Sequence, residues 1–391
     1  MNKNLIVLTL SQIFSFTAAP VTVFLSGIIG SQISPLKSLS TLPMSISVVG
    51  IAIGAVFATK VMSLIGRKAG FISASIVNFL VCILAAYSIM DQNFILFCLA
   101  NFFLGNGMAF THQYRFAAAE SVEKNKIPRA ISIILLGGIV SAFLGPSTAN
   151  YAKDIVSEHL YVGSYLSLSI LTIIPTIFFL FYENTSKIET NIKYSGRSYL
   201  ELVSQPRFLQ ALTASAFGYA IMTFLMTATP LSMHVMEKMS LSKTGLVIQF
   251  HVVAMFLPSL VTGYLIKKFG HSNIMYAGVF LYSITIAASF FDQTFFNYMF
   301  ALIFLGLGWN FLFISGTSLL VLTYKEDEKF RAQGLNDFIV YSVHAIGSLS
   351  AGVLIALTNW KTMNIICIPL MVLIILTTLR AEILSKKNPD N

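Results

Sequence analysis

Two sets of polar residues sit at helical spacing in this chain, and their side-chain types suit recognition of a small charged or aromatic molecule. The first is Asn101, Gly105, Met108, His112 and Arg115, at successive intervals of four, three, four and three residues, so that all five share one helical face. The second is Asp337, Tyr341, His344 and Ser348, at intervals of four, three and four. A guanidinium can grip an anion through two parallel hydrogen bonds, an imidazole exchanges a proton near neutral pH, and a carboxylate and a phenol add an acceptor and an amphipathic ring. Each residue also has a plainer reading. Arg115 can snorkel to the inner membrane surface or pair with Glu120 or Glu123, Asp337 can be solvated near the inner end of its helix, and His344, or His251 near Gln249, can simply be hydrogen-bonded inside a helix bundle.

The elements that must position these side chains are membrane spans. The chain is 56% hydrophobic and 10% charged, against roughly 25% charged in an ordinary soluble domain. A spanning helix needs about 20 apolar residues. Twelve stretches qualify, at 5–30, 41–64, 69–90, 94–119, 130–150, 161–182, 207–235, 243–266, 272–291, 295–322, 335–357 and 363–380. The expected fold is therefore an all-α integral membrane protein with 12 transmembrane helices in two six-helix pseudo-symmetric bundles, 1–182 and 207–391. The hydrophilic segment 183–206 is a linker too short for a domain, with an amphipathic portion around Tyr199 to Val203 suited to the membrane surface. Inside a span, a charge at the bilayer centre costs at least about 2.5 kcal/mol, so both polar stripes are expected to face a bundle interior or a water-filled cavity.

Lysine and arginine fix the expected orientation, because cytoplasmic loops retain positive charge. With the N-terminus inside, nineteen of the 25 fall on the cytoplasmic side, and only Lys37, Lys153, Lys238, Lys243 and Lys361 fall outside. Both termini are thus expected in the cytoplasm, in a multi-pass protein of the cell (inner) membrane. Topology accounts for the net charge of +9, which leaves a nucleic-acid partner without support. The N-terminal apolar run contains Gln12 and lacks a small-residue cleavage site, so it reads as the first span and not as a cleaved signal. Cys82, Cys98 and Cys367 all lie within spans, which argues against a disulfide or a metal site. The Asn184-Thr185-Ser186 match to a glycosylation acceptor falls in the cytoplasmic linker and reads as chance.

The chain also repeats itself. Asp91-Gln92 and Phe103-Leu104-Gly105-Asn106-Gly107 recur as Asp292-Gln293 and Phe304-Leu305-Gly306-Leu307-Gly308, Arg129-Ala130 recurs as Arg331-Ala332, and Gly66 recurs as Gly270. Two copies of a multi-helix membrane unit are the usual construction of a carrier. The matched glycines are expected at close helix contacts. The unmatched polar residues mark specialisation: His112 aligns with Phe313, Arg115 with Gly316, Asp337 with Leu135, and His344 with Ala142.

Twelve spans in two copies, the basic central linker, and Gly-x-Leu-x-Lys-Lys-Phe-Gly-His at Gly263 to His271 resemble the major facilitator superfamily, over the whole chain. In the first copy of that loop motif Gly66, Arg67 and Lys68 survive, while Ser63 and Leu64 stand where the family has an aspartate and an arginine. Gly145-Pro146 in span 5 is similar to the Gly-Pro motif of the antiporter branch, without its flanking glycines, and Asn101 stands where span 4 of the family usually has an arginine. The resemblance implies that the first, fourth, seventh and tenth helices line the cavity. That adds Gln12, Tyr219, Thr223, Trp309 and Asn310 to the substrate-binding candidates Arg115, His112, Asn101, Met108, Tyr341 and His344. Pro20 and Pro230, near the outer ends of spans 1 and 7, are candidate hinges or gates, with structural kinking as the alternative.

The expected function is secondary active transport of a small organic solute by alternating access, in a monomer that needs no cofactor. Arginine and histidine with no carboxylate near the midplane favour an organic anion or a polar aromatic metabolite. Proton coupling, if it occurs, would use Glu120, Asp337, His344 or His251. The alternatives are a drug or metabolite exporter of the proton-antiporter type and, from a different class, a transporter-like membrane sensor. The chain has no HExxH, Gly-x-Ser-x-Gly or Asp-rich constellation, which argues against an enzyme.

Overall fold

Within lipid no water competes for backbone groups, so apolar runs this long satisfy themselves as helices. The computed structural model describes residues 2–36, 39, 42–185 and 196–387. Lys37 and the linker residues 186–195, including Ser186, Lys187 and Lys193, lie outside the described residues. Among the described residues the α-helices are α1 (Lys3–Ser15), α2 (Ala18–Ile33), α3 (Leu42–Met90), α4 (Phe94–His112), α5 (Tyr114–Glu120), α6 (Ile127–Ala152), α7 (Val162–Phe179), α8 (Tyr199–Ser204), α9 (Pro206–Pro230), α10 (Leu241–Phe256), α11 (Ser259–Phe269), α12 (His271–Ala288), α13 (Phe295–Leu320), α14 (Lys329–Leu357), α15 (Trp360–Ile366) and α16 (Ile368–Lys387). No strand occurs among the described residues.

Nine helical stretches among the described residues are long and apolar enough to cross a membrane, or ten if the pair Leu246–Phe256 and Ser259–Phe269, bent by 41°, is one span. Twelve crossings, as the sequence suggests, further require α3 to cross twice and α12, which is not among the nine, to cross as well. For α3 the case is direct. Its 49 residues, at about 1.5 Å each, are more than twice the length of a hydrocarbon core of about 30 Å. The helix is interrupted at Gly66, with φ 81° and ψ 162°. Gly270, the repeat partner of Gly66, closes α11 at φ 84° and ψ 161°. Only glycine adopts that region without strain, so both copies turn the chain with the same residue in the same conformation.

The repeat extends to capping and packing. Asn93 and Thr294, each following the repeated Asp-Gln pair, cap α4 and α13 by accepting from the backbone N–H of Leu96 and Asn297. A Cβ at Gly105 would lie 2.0 Å from the Ser47 carbonyl oxygen on α3, and one at Gly306 would lie 2.7 Å from the His251 carbonyl oxygen on α10. At Gly107 it would strike the Asn78 side chain, and at Gly308 the Tyr282 ring, each in the span just before the glycine's own. All four glycines are therefore close-packing positions.

The chain divides into two compact units. Unit 1 comprises Met1–Glu123, Ile133–Tyr194 and Gln333–Tyr341; unit 2 comprises Lys124–Ser132, Ser195–Ala332 and Ser342–Asn391. Each unit thus takes in a short segment from the other half of the sequence. In unit 1, Gly334 lies against Thr59; in unit 2, Gly263 lies against the backbone of Pro128 and Arg129. At the end of the linker, Ser198 and Glu201 form a reciprocal capping box that starts α8, and Leu202 is buried. The backbone N–H of Ser198 holds the Glu201 carboxyl below its ordinary range. Arg197 grips Glu328, at 2.5 and 2.7 Å, which raises its already high pKa.

Candidate functional site

In unit 1 the two polar stripes meet. Arg115, 3% exposed, donates from one guanidinium nitrogen to Asp337 and from another to the Tyr341 hydroxyl at 3.4 Å. Asp337 is fully buried and also accepts from Gln113 at 2.8 Å and Asn336 at 2.9 Å. His112 packs its ring against Tyr341, with centroids 4.6 Å apart, and edge-on against Phe16 at 5.9 Å. Arg115 is therefore buried and paired with Asp337, where the alternative had it snorkelling to the surface, and Asp337 is buried where the alternative had it solvated. With Asp337 beside it, the guanidinium belongs to a pair with no net charge.

Glu120 is engaged elsewhere. Its carboxylate takes two hydrogen bonds from Arg67, at 2.8 and 2.5 Å, and Gln333 bonds both partners, accepting from Arg67 at 2.7 Å and donating to Glu120 at 3.0 Å. The neighbouring Lys68 ties down the end of α7, through its backbone N–H to the Asn184 side chain and its ammonium to the Leu180 carbonyl. Asn101 accepts from Ser26 at 3.0 Å and donates to the Phe97 carbonyl at 2.9 Å. Met108 is buried, and Gln12 is buried beside Gly137. Gly145 lies close to the Thr17 carbonyl and Pro20, with Pro146 following in α6. Span 1 breaks between Ser15 and Ala18, so Pro20 falls in the first turn of α2, where a missing N–H is tolerated, and lies well inside the span.

Unit 2 holds an aromatic cluster. Tyr219 stacks on His344 at 4.6 Å and 25°, and meets Trp309 edge-on at 5.4 Å and Phe313 at 5.5 Å. Trp309 lies flat on Phe313 at 4.9 Å and 13°, with Phe256 edge-on at 5.8 Å. Asn310, on the same helix, donates to the Met255 carbonyl and Ser259 and accepts from Thr262. His251 is buried with one ring nitrogen 2.7 Å from the Leu302 carbonyl. Pro230 ends α9, and the chain continues as one wider helical turn, Leu231–Met236.

The chain matches the family model described as Major Facilitator Superfamily over residues 5–257 and 231–390. It belongs to that superfamily. A relative, "Riboflavin transporter RfnT" of Brucella anthropi, is 35% identical over 377 residues, covering 95% of this chain and 94% of its own length. The "Uncharacterized MFS-type transporter YddS" of Bacillus subtilis is 24% identical over 382 residues, covering 93% and 87%. Among solved structures, the human organic anion transporter MFSD10 superposes with a TM-score of 0.77 at 12% identity, covering 96% of this chain and 99% of that one. The E. coli fucose:proton symporter FucP gives 0.73 at 14%, covering 96% and 97%. At such identities the structures show the fold alone. The protein is thus a multi-pass membrane transporter of the major facilitator fold, and family and relatives point to transport and not to an enzyme.

Within this superfamily member, periodicity found the stripes and missed Gln113, Asn336 and Gln333. The helix breaks at Gln113, so residues on either side do not keep one register; Gln113 and Asn336 lie off both stripes, while Gln333 lies one turn before Asp337 on the face of the second stripe. A polar residue inside an apolar span was the available signal for Gln113 and Asn336, whereas Gln333 falls just before the expected start of its span at 335. Phe256 and Phe313 were hidden among 33 phenylalanines; the alignment of Phe313 with His112 in the repeat was the one mark that set it apart.

Proposed function

We propose that this transporter carries a planar, polar aromatic solute, with riboflavin as the first candidate, across the cytoplasmic membrane of a bacterium. The observation that carries the reading is the 35% identity, over nearly the whole of both chains, to a protein named as a riboflavin transporter. Two features support it. The aromatic cluster of Tyr219, His344, Trp309 and Phe313 has the chemistry to hold a flat ring, because offset-stacked and edge-on aromatic contacts add attraction beyond buried area. The Arg115–Asp337 pair is neutral, so of the two cargo classes suggested by the sequence, the aromatic one fits better than the anion.

The mechanism proposed is alternating access in a monomer, with the halves 1–182 and 207–391 moving about the 183–206 linker and both termini in the cytoplasm. Of the proton-coupling candidates, Asp337 is retained, because protonating it would release Arg115; Glu120 is clamped by Arg67 and Gln333, and His251 is bound to a backbone carbonyl. Labelled riboflavin uptake into right-side-out and inverted vesicles, with and without an imposed pH gradient, tests the proposal. Accumulation that follows the gradient in wild-type vesicles, and loses that dependence in Asp337→Asn, is expected. Flux indifferent to the gradient in the wild type removes the coupling role, and absence of flux in either orientation removes the cargo.

A further inference from the structure

Helix α9 presents Ser215, Tyr219 and Thr223 at intervals of four, and α13 presents Trp309 and Phe313 at the same interval, so each set shares one face. The Tyr219 ring joins the two helices through its contacts with Trp309 and Phe313. In this aromatic setting the indole nitrogen of Trp309 and the hydroxyl of Thr223 are buried without a hydrogen-bond partner among the described residues, on side chains each 2% exposed. Neither orphan is explained by packing alone. A buried indole N–H is a donor that ordinarily finds an acceptor. A threonine hydroxyl in a helix has an easy escape in the carbonyl four residues back, and on this same helix Thr213 takes it to Leu209 and Thr229 takes it to Leu225. Thr223 does not.

We propose that Trp309 Nε1 and Thr223 Oγ1 donate to ring carbonyl oxygens of the transported solute, so that unit 2 reads the heteroatom pattern of a planar ring while Tyr219 and Trp309 supply the aromatic contact. This assignment rests on the aromatic-cargo reading above and sharpens it. The ligand class is a fused, flat heteroaromatic with carbonyl acceptors along one edge, as in the tricyclic ring of riboflavin. A flat tricycle of equal size without carbonyls would gain the stacking and forgo the two hydrogen bonds. A site built around polar donors discriminates against the analogue that leaves those donors unpaired.

The test is a two-by-two comparison on purified full-length protein. Riboflavin binding is followed by quenching of flavin emission, and binding of phenazine, a tricycle without carbonyls, is followed by competition. Trp309→Phe keeps a ring and removes the N–H; Thr223→Val keeps the shape and removes the hydroxyl. Each variant should weaken riboflavin by about tenfold, the loss of one hydrogen bond, and leave phenazine affinity unchanged. Equal weakening of both ligands assigns the two residues to packing and overturns the proposal, as does unchanged riboflavin affinity in both variants. A wild-type protein that binds no flavin overturns the cargo reading and this assignment with it. Because the chain has only two tryptophans, Trp360→Phe leaves Trp309 as sole reporter in a protein with its site intact. Saturating riboflavin should quench that emission, and emission unchanged at saturation contradicts the placement.

Discussion

Arg115 and Asp337 show how much a buried residue owes to its partner. With both side chains out of contact with water, losing either one leaves a charge uncompensated in a low-dielectric surrounding, at a cost of about 3–5 kcal/mol. Arg115→Gln and Asp337→Asn should each lower the thermal unfolding midpoint of purified protein, and the double variant should recover most of the loss because no lone charge remains. Single variants as stable as the wild type would show that the pair carries no structural weight. The types and spacing of both stripes were readable from sequence, because a 3.6-residue period is a local property. Their convergence was not: 222 positions separate the paired residues. Asn101 and Asn310 were unreadable for another reason. A polar side chain that bonds to a neighbouring helix and one that lines a cavity occupy the same place in the pattern, so the partners Ser26, Ser259 and Thr262 could not be read from it.

At the scale of elements, the glycines mark where helices come too close for a side chain. Gly105 faces the backbone of Ser47, which cannot swing aside, whereas a Cβ on Gly27 would meet nothing within 4 Å. Gly105→Ala should destabilise by about 1–3 kcal/mol or more through overpacking. Gly27→Ala should be neutral or slightly stabilising, because alanine suits a helix better than glycine. Thermal unfolding of the two variants side by side checks the contrast, and equal midpoints would contradict it. The close contact at Gly105 could be foreseen because the glycine recurs as Gly306; the turn at Gly66 could be foreseen for the same reason. Breaks present in one copy only, such as the one at Gln113, had no such signal. The span limits blurred where continuous helix runs through a turn, as in α3, since apolar composition alone does not register a change of direction.

At the scale of the whole molecule, duplication explains what is common and its failures explain what is particular. The repeated caps, the paired positive-φ glycines and the matched helix contacts build the same scaffold twice. The polar cluster around Arg115 and the aromatic cluster around Trp309 occur once each, in unit 1 and unit 2. The central claim is that such a scaffold exposes one aromatic-solute site alternately to the two sides of the membrane. A carrier of this kind, unlike an open pore, exchanges solute for solute. The most direct measurement is counterflow in proteoliposomes containing only this protein, loaded with unlabelled riboflavin and diluted into a trace of the labelled compound. Transient accumulation of label above the equilibrium level is expected. Label that rises only to equilibrium, or does not enter at all, would contradict the account.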